Sequence, residues 1–412
     1  MPVQAEAAGP MGKGRTPALV VGSGITALGV MRTLGRAGIP VYLADRVPDG
    51  TRLSRWHREA PGWKSGESWP DLEAYLSSGP LETAVLIPCS DHSALEVTRL
   101  APEISRRFPS YLPPVESLQA LTDKSRLYRL LDAEEIPFPR TWMAPSEEEL
   151  EAFSRDGSRR VFLKPYDSQS FFRKYGVKGM WLRGAMESWP PAVREVLRSG
   201  GVVAQEYVPG PPSNHYFIDG FALEGGQVTA RLVRRRLRMY PTDFGNSSYM
   251  VTVPGDQATE AVEALDRLLK ILGYRGIFSA EFKRDEGDGT FRLLEVNARA
   301  WWFVEFSARC GVDTVGMSYQ AALGHEVGEA FEYALGRRLS HPYYDIQACW
   351  ASSGNPITGV LRFLSSLPGA IQPTFQLRDP GPALGEGWRF TRSFLRRRLQ
   401  GLLGRGQRED RA

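Results

Sequence analysis

The chain reads as an α/β protein with an α+β module behind it, and three observations lead there. A strand, a helix and a second strand follow one another between residues 18 and 45 (ALVVGSG, Ala27 to Ala37, IPVYLAD), which is the βαβ order of an open sheet. From about residue 116 to 325 strands and helices are mixed rather than strictly alternating, and hairpin patterns recur, which suits an α+β arrangement. At 412 residues the chain exceeds what one core usually supports, so two or three domains are expected. No period of 20 to 50 residues recurs, which argues against a repeat array.

In the opening unit the helix stops at Gly38 and the second strand ends in Asp45. The turn Gly22-Ser23-Gly24-Ile25-Thr26-Ala27 matches GxGxxG/A, and Asp45 lies some twenty residues on, as a dinucleotide site requires. The same small residues equally permit a close strand-to-helix turn in a Rossmann-like domain with no nucleotide bound. A strand TAVLIPCSD and a helix from His92 continue the alternation, and Pro113-Pro114 marks a boundary, so the first domain spans 1–115. Beyond it ESLQAL and DKSRLYRLLDAEE read as helices, with Thr122 as N-cap of the second and Lys124 in its first turn. IPFPRTW is extended. A polar helix (Ser146 to Phe153), a strand RVFLKP, an irregular stretch DSQSFFRKYGVKG and a strand VVAQEYVPG come next, then a hairpin over HYFIDGFALEGGQVTARLV. A second hairpin joins GIFSAEFKRD to FRLLEVNARAWW. From about 326 the pattern weakens, and WRFTRSFLRRRLQGLLGRG reads as a basic amphipathic helix before a frayed tail.

Composition narrows the function classes. Hydrophobic content of 42% is ordinary for a globular protein, and a formal charge of +4 spread along the chain gives no support to nucleic-acid binding. Three cysteines, Cys89, Cys310 and Cys349, are too few and too scattered for a disulfide scaffold or a zinc site, which fits a reducing, cytoplasmic setting. No run of 18 apolar residues occurs and the N-terminus lacks the apolar core of an export signal, so neither a transmembrane segment nor secretion is expected.

The chemistry concentrates in the second hairpin. At the strand period of two, Ile277, Ser279, Glu281 and Lys283 share a face, and so do Phe291, Leu293, Glu295 and Asn297. A hairpin symmetric about Asp288 sets Glu281 directly opposite Glu295, with Cβ atoms about 5 Å apart. Like charges there repel, and a hard divalent cation, which takes carboxylate and amide oxygens, converts repulsion into attraction. A solvated polar outer face is the competing reading. Lys164 ends a strand before Pro165, and Asp167 to Ser170 offer backbone amides for a phosphate. Together with Lys124 they supply cations for phosphates beside ligands for their metal. Arg234, Arg235, Arg236 and Arg238 are candidates for gripping a carboxylate bidentately, or are simply exposed along a solvated strand. Trp301 and Trp302 could wall a pocket or belong to the core.

Over roughly residues 15 to 325, the order DKSRLYRLL, VFLKP, AQEYVPG, SAEFKRD and LLEVNARA resembles the ATP-grasp superfamily, and within it the carboxylate-amine ligases related to D-aspartate ligase, through KPYDSQSFFRKYGVKG and RRRLRMYPTDFGNSSY. The resemblance implies a Rossmann-like pre-ATP-grasp domain at 1–115, an ATP-grasp domain at 116–325 with lobes about 116–204 and 205–325, and a C-terminal extension at 326–412. It implies ATP as cofactor with Mg²⁺, or Mn²⁺ in its place. Lys124, Lys164 and Ser168 would then contact phosphates, while Gln205, Glu206, Tyr207 and Val208 line the adenine and ribose pocket; which of Gln205 and Glu206 meets the nucleotide is open. Glu281, Glu295 and Asn297 would hold the metal, and Arg299 with Lys164 would face the reacting group. Arg235 and Arg238 are the candidates for the substrate carboxylate.

The expected activity is ATP-dependent ligation. A substrate carboxylate is activated as an acylphosphate and joined to an amine, the partners being small molecules, amino acids among them, and the default assembly a homodimer. The five scattered His and three Cys form no evident triad, and this reaction needs no protein nucleophile. Two rivals stand beside it: an NAD-dependent oxidoreductase built on the GxGxxA turn and Asp45, and a non-catalytic nucleotide-binding protein whose basic C-terminal helix docks on an anionic membrane or another protein.

Overall fold

The computed structural model describes residues 15–45, 49–63, 71–143, 146, 148–150, 161–165, 180–182, 195, 197, 202–242, 245–389 and 391–392. Its opening unit comprises β1 (Ala18–Val21), α1 (Gly24–Arg36), β2 (Val41–Ala44), α2 (Leu72–Ser78), β3 (Val85–Pro88), α3 (Asp91–Thr98) and α4 (Pro102–Arg107). The three strands run parallel in the order β2-β1-β3, with Val20 between Leu43 and Ile87. β1 is wholly buried, so both its faces carry apolar side chains, as a parallel strand covered on both sides requires.

α5 (Val115–Thr122) and α6 (Lys124–Ala133) lead into a small antiparallel sheet of β4 (Thr141–Met143), β5 (Val161–Pro165), β6 (Met180–Leu182) and β7 (Val202–Glu206), in the order β4-β7-β5-β6. The cap of α6 differs from the sequence expectation. Asp123, not Thr122, occupies it: its Oδ1 accepts from the backbone N–H groups of Ser125 and Arg126 at 2.8 and 3.2 Å, while the Thr122 hydroxyl turns back to the Leu118 carbonyl. That bond fixes the first turn of α6, where Lys124 sits.

The largest sheet holds β8 (His215–Leu223), β9 (Gln227–Tyr240), β10 (Asn246–Thr252), β11 (Gly276–Arg284), β12 (Phe291–Asn297) and β13 (Arg338–Ser340), in the antiparallel order β12-β11-β8-β9-β10-β13. α7 (Thr259–Ile271) covers one face. Its Ala261, Leu265, Leu268 and Leu269 are fully buried in one cluster with Ile218, Phe278, Ala280 and Phe282, and each such leucine contributes roughly 1.5–3 kcal/mol by leaving water. The opposite face carries Glu281, Asp219 and Arg236 and is where the site lies.

α8 (Val304–Arg309) and α9 (Thr314–Ala322) follow β12 and pack against α1 in the cluster that joins the parallel sheet to the large one. Gly29 of α1 permits this approach, since a Cβ there would lie 3.1 Å from Val304 Cγ1. The segment beyond 326, where the sequence pattern fades, is more regular than expected: β13 extends the large sheet, and α10 (Pro342–Ser352), α11 (Pro356–Ser366) and helical residues 381–389 follow. Buried ions strap it down. Arg32, fully buried in α1, donates to Asp379 Oδ2 at 2.8 Å and to the Pro373 and Thr374 carbonyls at 2.8 and 2.9 Å. The expected basic helix falls largely within 393–412, outside the described residues, as do Ser168, the polar helix beyond residue 150 and most of the stretch after Pro165.

Candidate active site

Glu281 stands opposite Glu295, and Ser279 opposite Asn297, in the β11–β12 register. The hairpin nonetheless departs from symmetry about Asp288. Pairing shifts by one residue between Glu281 and Phe282, so Phe282 faces Leu293, Arg284 faces Phe291, and Leu294 is the extra residue of a bulge. This corrects the expected face of β12. Phe291 and Leu293 point into the core under α7 with Val296, whereas Glu295 is exposed and Asn297 half-buried on the other side. A bulge placed there lets one short strand turn apolar residues inward along its first half and polar residues toward Glu281 along its second.

The two carboxylates live differently. Glu281 lies 2.9 Å from the Arg236 guanidinium, and its Oε1 is 2.7 Å from His215 Nδ1. Burial works against its charge, but Arg236 and His215 prevail and hold it down at about 2. Glu295 has no such neighbours; crowding by the surrounding protein and the Glu281 and Asp91 carboxylates push it up, against Arg299 and Lys124, although its side chain still reaches solvent. That combination is a place where a positive charge is favoured. The oxygen-only set of Glu281, Glu295 and Asn297 suits Mg²⁺ or Mn²⁺, and among the described residues no group of three or more His, Cys, Asp and Glu offers a competing metal site.

Around this pair the cations gather. Lys164, half-buried, is lowered by burial and raised by Glu295 and Glu281. Its Nζ donates to Gln205 Oε1, while Gln205 Nε2 donates to the Tyr128 hydroxyl at 2.9 Å and to Thr141 at 3.0 Å. The buried Gln205 side chain is therefore committed to positioning Lys164, and of the two candidates Glu206 is the one left half-buried at the edge. Tyr207 sits beneath Lys283, whose Nζ is 3.9 Å from the ring centroid, and Val208 is buried. Arg299 donates Nε to Asp91 Oδ1 at 2.9 Å and Nη1 to the Ala300 carbonyl, which aims it across from the first turn of α3.

The arginine run is resolved differently from the expectation for Arg235 and Arg238. Arg238 already has a carboxylate, gripping Asp345 of α10 at 2.7 and 2.6 Å, and Arg235 donates to the Ser213 carbonyl and lies 5.5 Å over Tyr216. The arginine that faces the site is Arg236. Arg236 belongs to the run of four named from the sequence, whereas His215, Asp91 and Lys283 are missed as site residues by sequence reading, although the period-two count places Lys283 on the face of Glu281.

Both faces of the alternative dinucleotide site are occupied by the protein itself. Gly24 N–H, at the α1 N-terminus, donates to Asp49 Oδ2 at 2.7 Å, and both Asp45 oxygens are held by Arg52 at 2.8 and 3.0 Å. Gly22 is required for a steric reason: its φ is +145°, and a Cβ would fall 2.8 Å from Cys89 Cβ. The turn is scaffold, and the NAD reading is not favoured.

No family model matches the chain. Among curated proteins it is similar to D-aspartate ligase of Enterococcus faecium (strain Aus0004), 22% identical over 223 residues, covering 52% of this chain and 53% of that one. The chain thus spans about half the length of the curated relative it matches. Among solved structures it superposes on the biotin carboxylase domain of Hydrogenobacter thermophilus 2-oxoglutarate carboxylase, bound to MgADP and bicarbonate, with TM-score 0.58 and 15% identity over 79% of this chain and 74% of that one. The chain carries the ATP-grasp fold. A further ATP-grasp neighbour, L-amino acid ligase from Bacillus licheniformis, gives TM-score 0.54 and 15% identity over 76% of this chain and 75% of that one.

The buried His215 makes this cluster acid-sensitive. Burial first, then Arg236, hold it down at about 4 from 6.5, so at neutral pH it is uncharged; with a proton on Nδ1 it donates to Glu281, and without one it accepts from Arg236 Nη1 at 3.1 Å. A depressed pKa stabilises the fold above 6.5, and that stability is lost as pH falls through 4; Glu281, depressed from 4.5 to about 2, adds a second loss below it. The melting temperature is expected to drop between pH 7 and 4, and to drop less in His215→Gln. An unchanged profile in that variant would discount His215.

Proposed function

We propose that the chain is an ADP-forming ligase that activates a small carboxylic acid with ATP and couples it to an amine. The observation that carries this reading is the pair Glu281–Glu295 with Asn297, ringed by Lys124, Lys164 and Arg299, on the ATP-grasp sheet. The relatives' names agree in chemistry: a D-aspartate ligase, an L-amino acid ligase and a biotin carboxylase domain with bound MgADP. In this reading 1–115 is the pre-ATP-grasp domain, 116–325 the ATP-grasp domain in two lobes, and 326–412 an extension that closes on both. A cytoplasmic setting fits the three unpaired, buried cysteines, and a homodimer is the default assembly.

Glu281, Glu295 and Asn297 would hold Mg²⁺, which when bound would supply charge neutralisation to the phosphates. Lys164, oriented by Gln205, and Lys124 bind the phosphates; Glu206, Tyr207 and Val208 border the base and ribose. A substrate carboxylate oxygen attacks the γ-phosphorus, the bond to the β-phosphate oxygen breaks, and ADP leaves. Arg299 faces the three charged oxygens of the transferring group, fixed in place by Asp91 so that little reorganisation is required. The amine then displaces phosphate from the acylphosphate, forming the amide. Arg236 draws Glu281 toward β9 and sets its orientation.

Incubation with ATP, Mg²⁺, hydroxylamine and each of the twenty amino acids in turn is expected to give a hydroxamate with at least one acid, together with stoichiometric ADP. ATP hydrolysis without hydroxamate for any acid tested would count against carboxylate activation.

A further inference from the structure

The C-terminal extension builds a second polar cluster that the steps above do not use. His341, between β13 and α10, is fully buried, yet neither ring nitrogen has a hydrogen-bond partner. Its backbone is pinned: the N–H donates to the Ser248 carbonyl at 2.8 Å, and its carbonyl accepts from Asp345 and Tyr344. With the backbone held there, the imidazole lies wholly out of contact with water. Glu386, from helical residues 381–389, brings Oε1 to 3.5 Å from His341 Nε2, and its Oε2 is buried without a partner. Burying such atoms is unfavourable unless something meets them.

Aromatic rings surround the pair. Tyr344 lies 4.7 Å from the imidazole, and Trp302 lies 6.4 Å from the imidazole and 6.2 Å from Tyr344, with Tyr343 at 6.5 Å from the imidazole. Trp302 and Tyr344 are half-buried, so each ring keeps part of its surface toward solvent. A carboxylate with a neutral acceptor nitrogen, walled by ring faces, recognises an ammonium group: the rings attract the cation and the two polar atoms take its N–H bonds. Burial holds His341 at about 4, so it does not compete as a cation; burial pushes Glu386 up, against the Thr374 hydroxyl and the exposed Arg389, so an added cation beside it is favoured. The place is also right. Trp302 follows Arg299 by three residues, so their Cα atoms are at most about 11 Å apart.

We propose that Trp302, Tyr344 and the His341–Glu386 pair form the subsite that takes the ammonium group of the amine to be coupled. The assignment of that ammonium to the acceptor rests on the ligase reading; the cation preference of the pocket does not.

Melting the full chain with increasing n-butylammonium chloride, against n-butanol as the neutral isostere, tests it without turnover. The ammonium is expected to raise the melting temperature in a saturable way and butanol is not. Trp302→Leu and Glu386→Gln are each expected to weaken the apparent affinity at least tenfold. Equal stabilisation by butanol, no wild-type shift, or an unchanged shift in both variants would overturn the subsite. A saturable ammonium shift alongside no hydroxamate in the wild-type trapping assay would leave the pocket standing and sink the ligase reading instead.

Discussion

Replacing Glu295 with alanine is expected to lower ATP-dependent phosphate release by about 10²–10³-fold or more, the scale of losing one fixed electrostatic contact to a reacting centre, while leaving the melting temperature unchanged or slightly raised. The two halves of that expectation come from one geometry. Glu295 is exposed, faces Glu281 across the ladder and is pushed up by it, so its charge opposes folding at neutral pH. Like charges directly opposite in a sheet cost roughly 0.2–1 kcal/mol, which alanine would remove. Glu281→Ala should behave otherwise, because it strips His215 and Arg236 of their shared carboxylate and harms fold and activity together. Phosphate release and thermal melting, measured on both variants, separate the roles. Full turnover in Glu295→Ala would remove the metal assignment, and a stability loss as large as that of Glu281→Ala would show that Glu295 is a structural residue.

How much of this was legible beforehand follows from what kind of interaction each residue makes. Strand alternation is local, so the face shared by Glu281 and Lys283 and the opposition of Glu281 to Glu295 could be counted from the sequence. The bulge at Leu294 could not, because it is chosen by whether Phe291 and Leu293 can reach the core under α7, a tertiary matter. Side-chain commitments are less legible still. Arg238 looked available for a substrate because its partner Asp345 lies 107 residues away, and Gln205 looked like a nucleotide contact because Tyr128 and Thr141 come from distant elements. The GxGxxA turn misled in the opposite sense: Gly22 answers the proximity of Cys89, and Asp49 fills the position an anion would take. Beyond 326 the segment is tied to the rest of the protein by buried ion pairs, Arg32–Asp379 and Arg238–Asp345, and ion pairs leave no periodicity to read.

Asp219→Ala is expected to lower stability by about 3–5 kcal/mol, the usual consequence of removing one member of a buried ion pair. Asp219 and Arg234 are almost wholly inaccessible, joined at 2.5 and 3.2 Å across β8 and β9, and Asp219 Oδ1 also accepts from the Ser279 hydroxyl at 2.7 Å. Alanine would leave a guanidinium stacked 4.0 Å from the Phe217 ring centroid without its bonded carboxylate, and a buried hydroxyl without its acceptor. The injury would also reach the site, since Arg234 acts on both Glu281 and Arg236; uncompensated, it would draw Glu281 away from the cation position. Replacing both partners by apolar residues of similar shape, Asp219→Leu with Arg234→Met, should recover most of the lost stability, because what destabilises is the orphaned charge rather than the missing attraction. Urea titration of the two single variants and the double variant measures the coupling directly. A single-variant loss below about 1 kcal/mol, within the range of an exposed pair, would mean that water reaches Arg234 and that this face of the sheet is wetter than its packing implies.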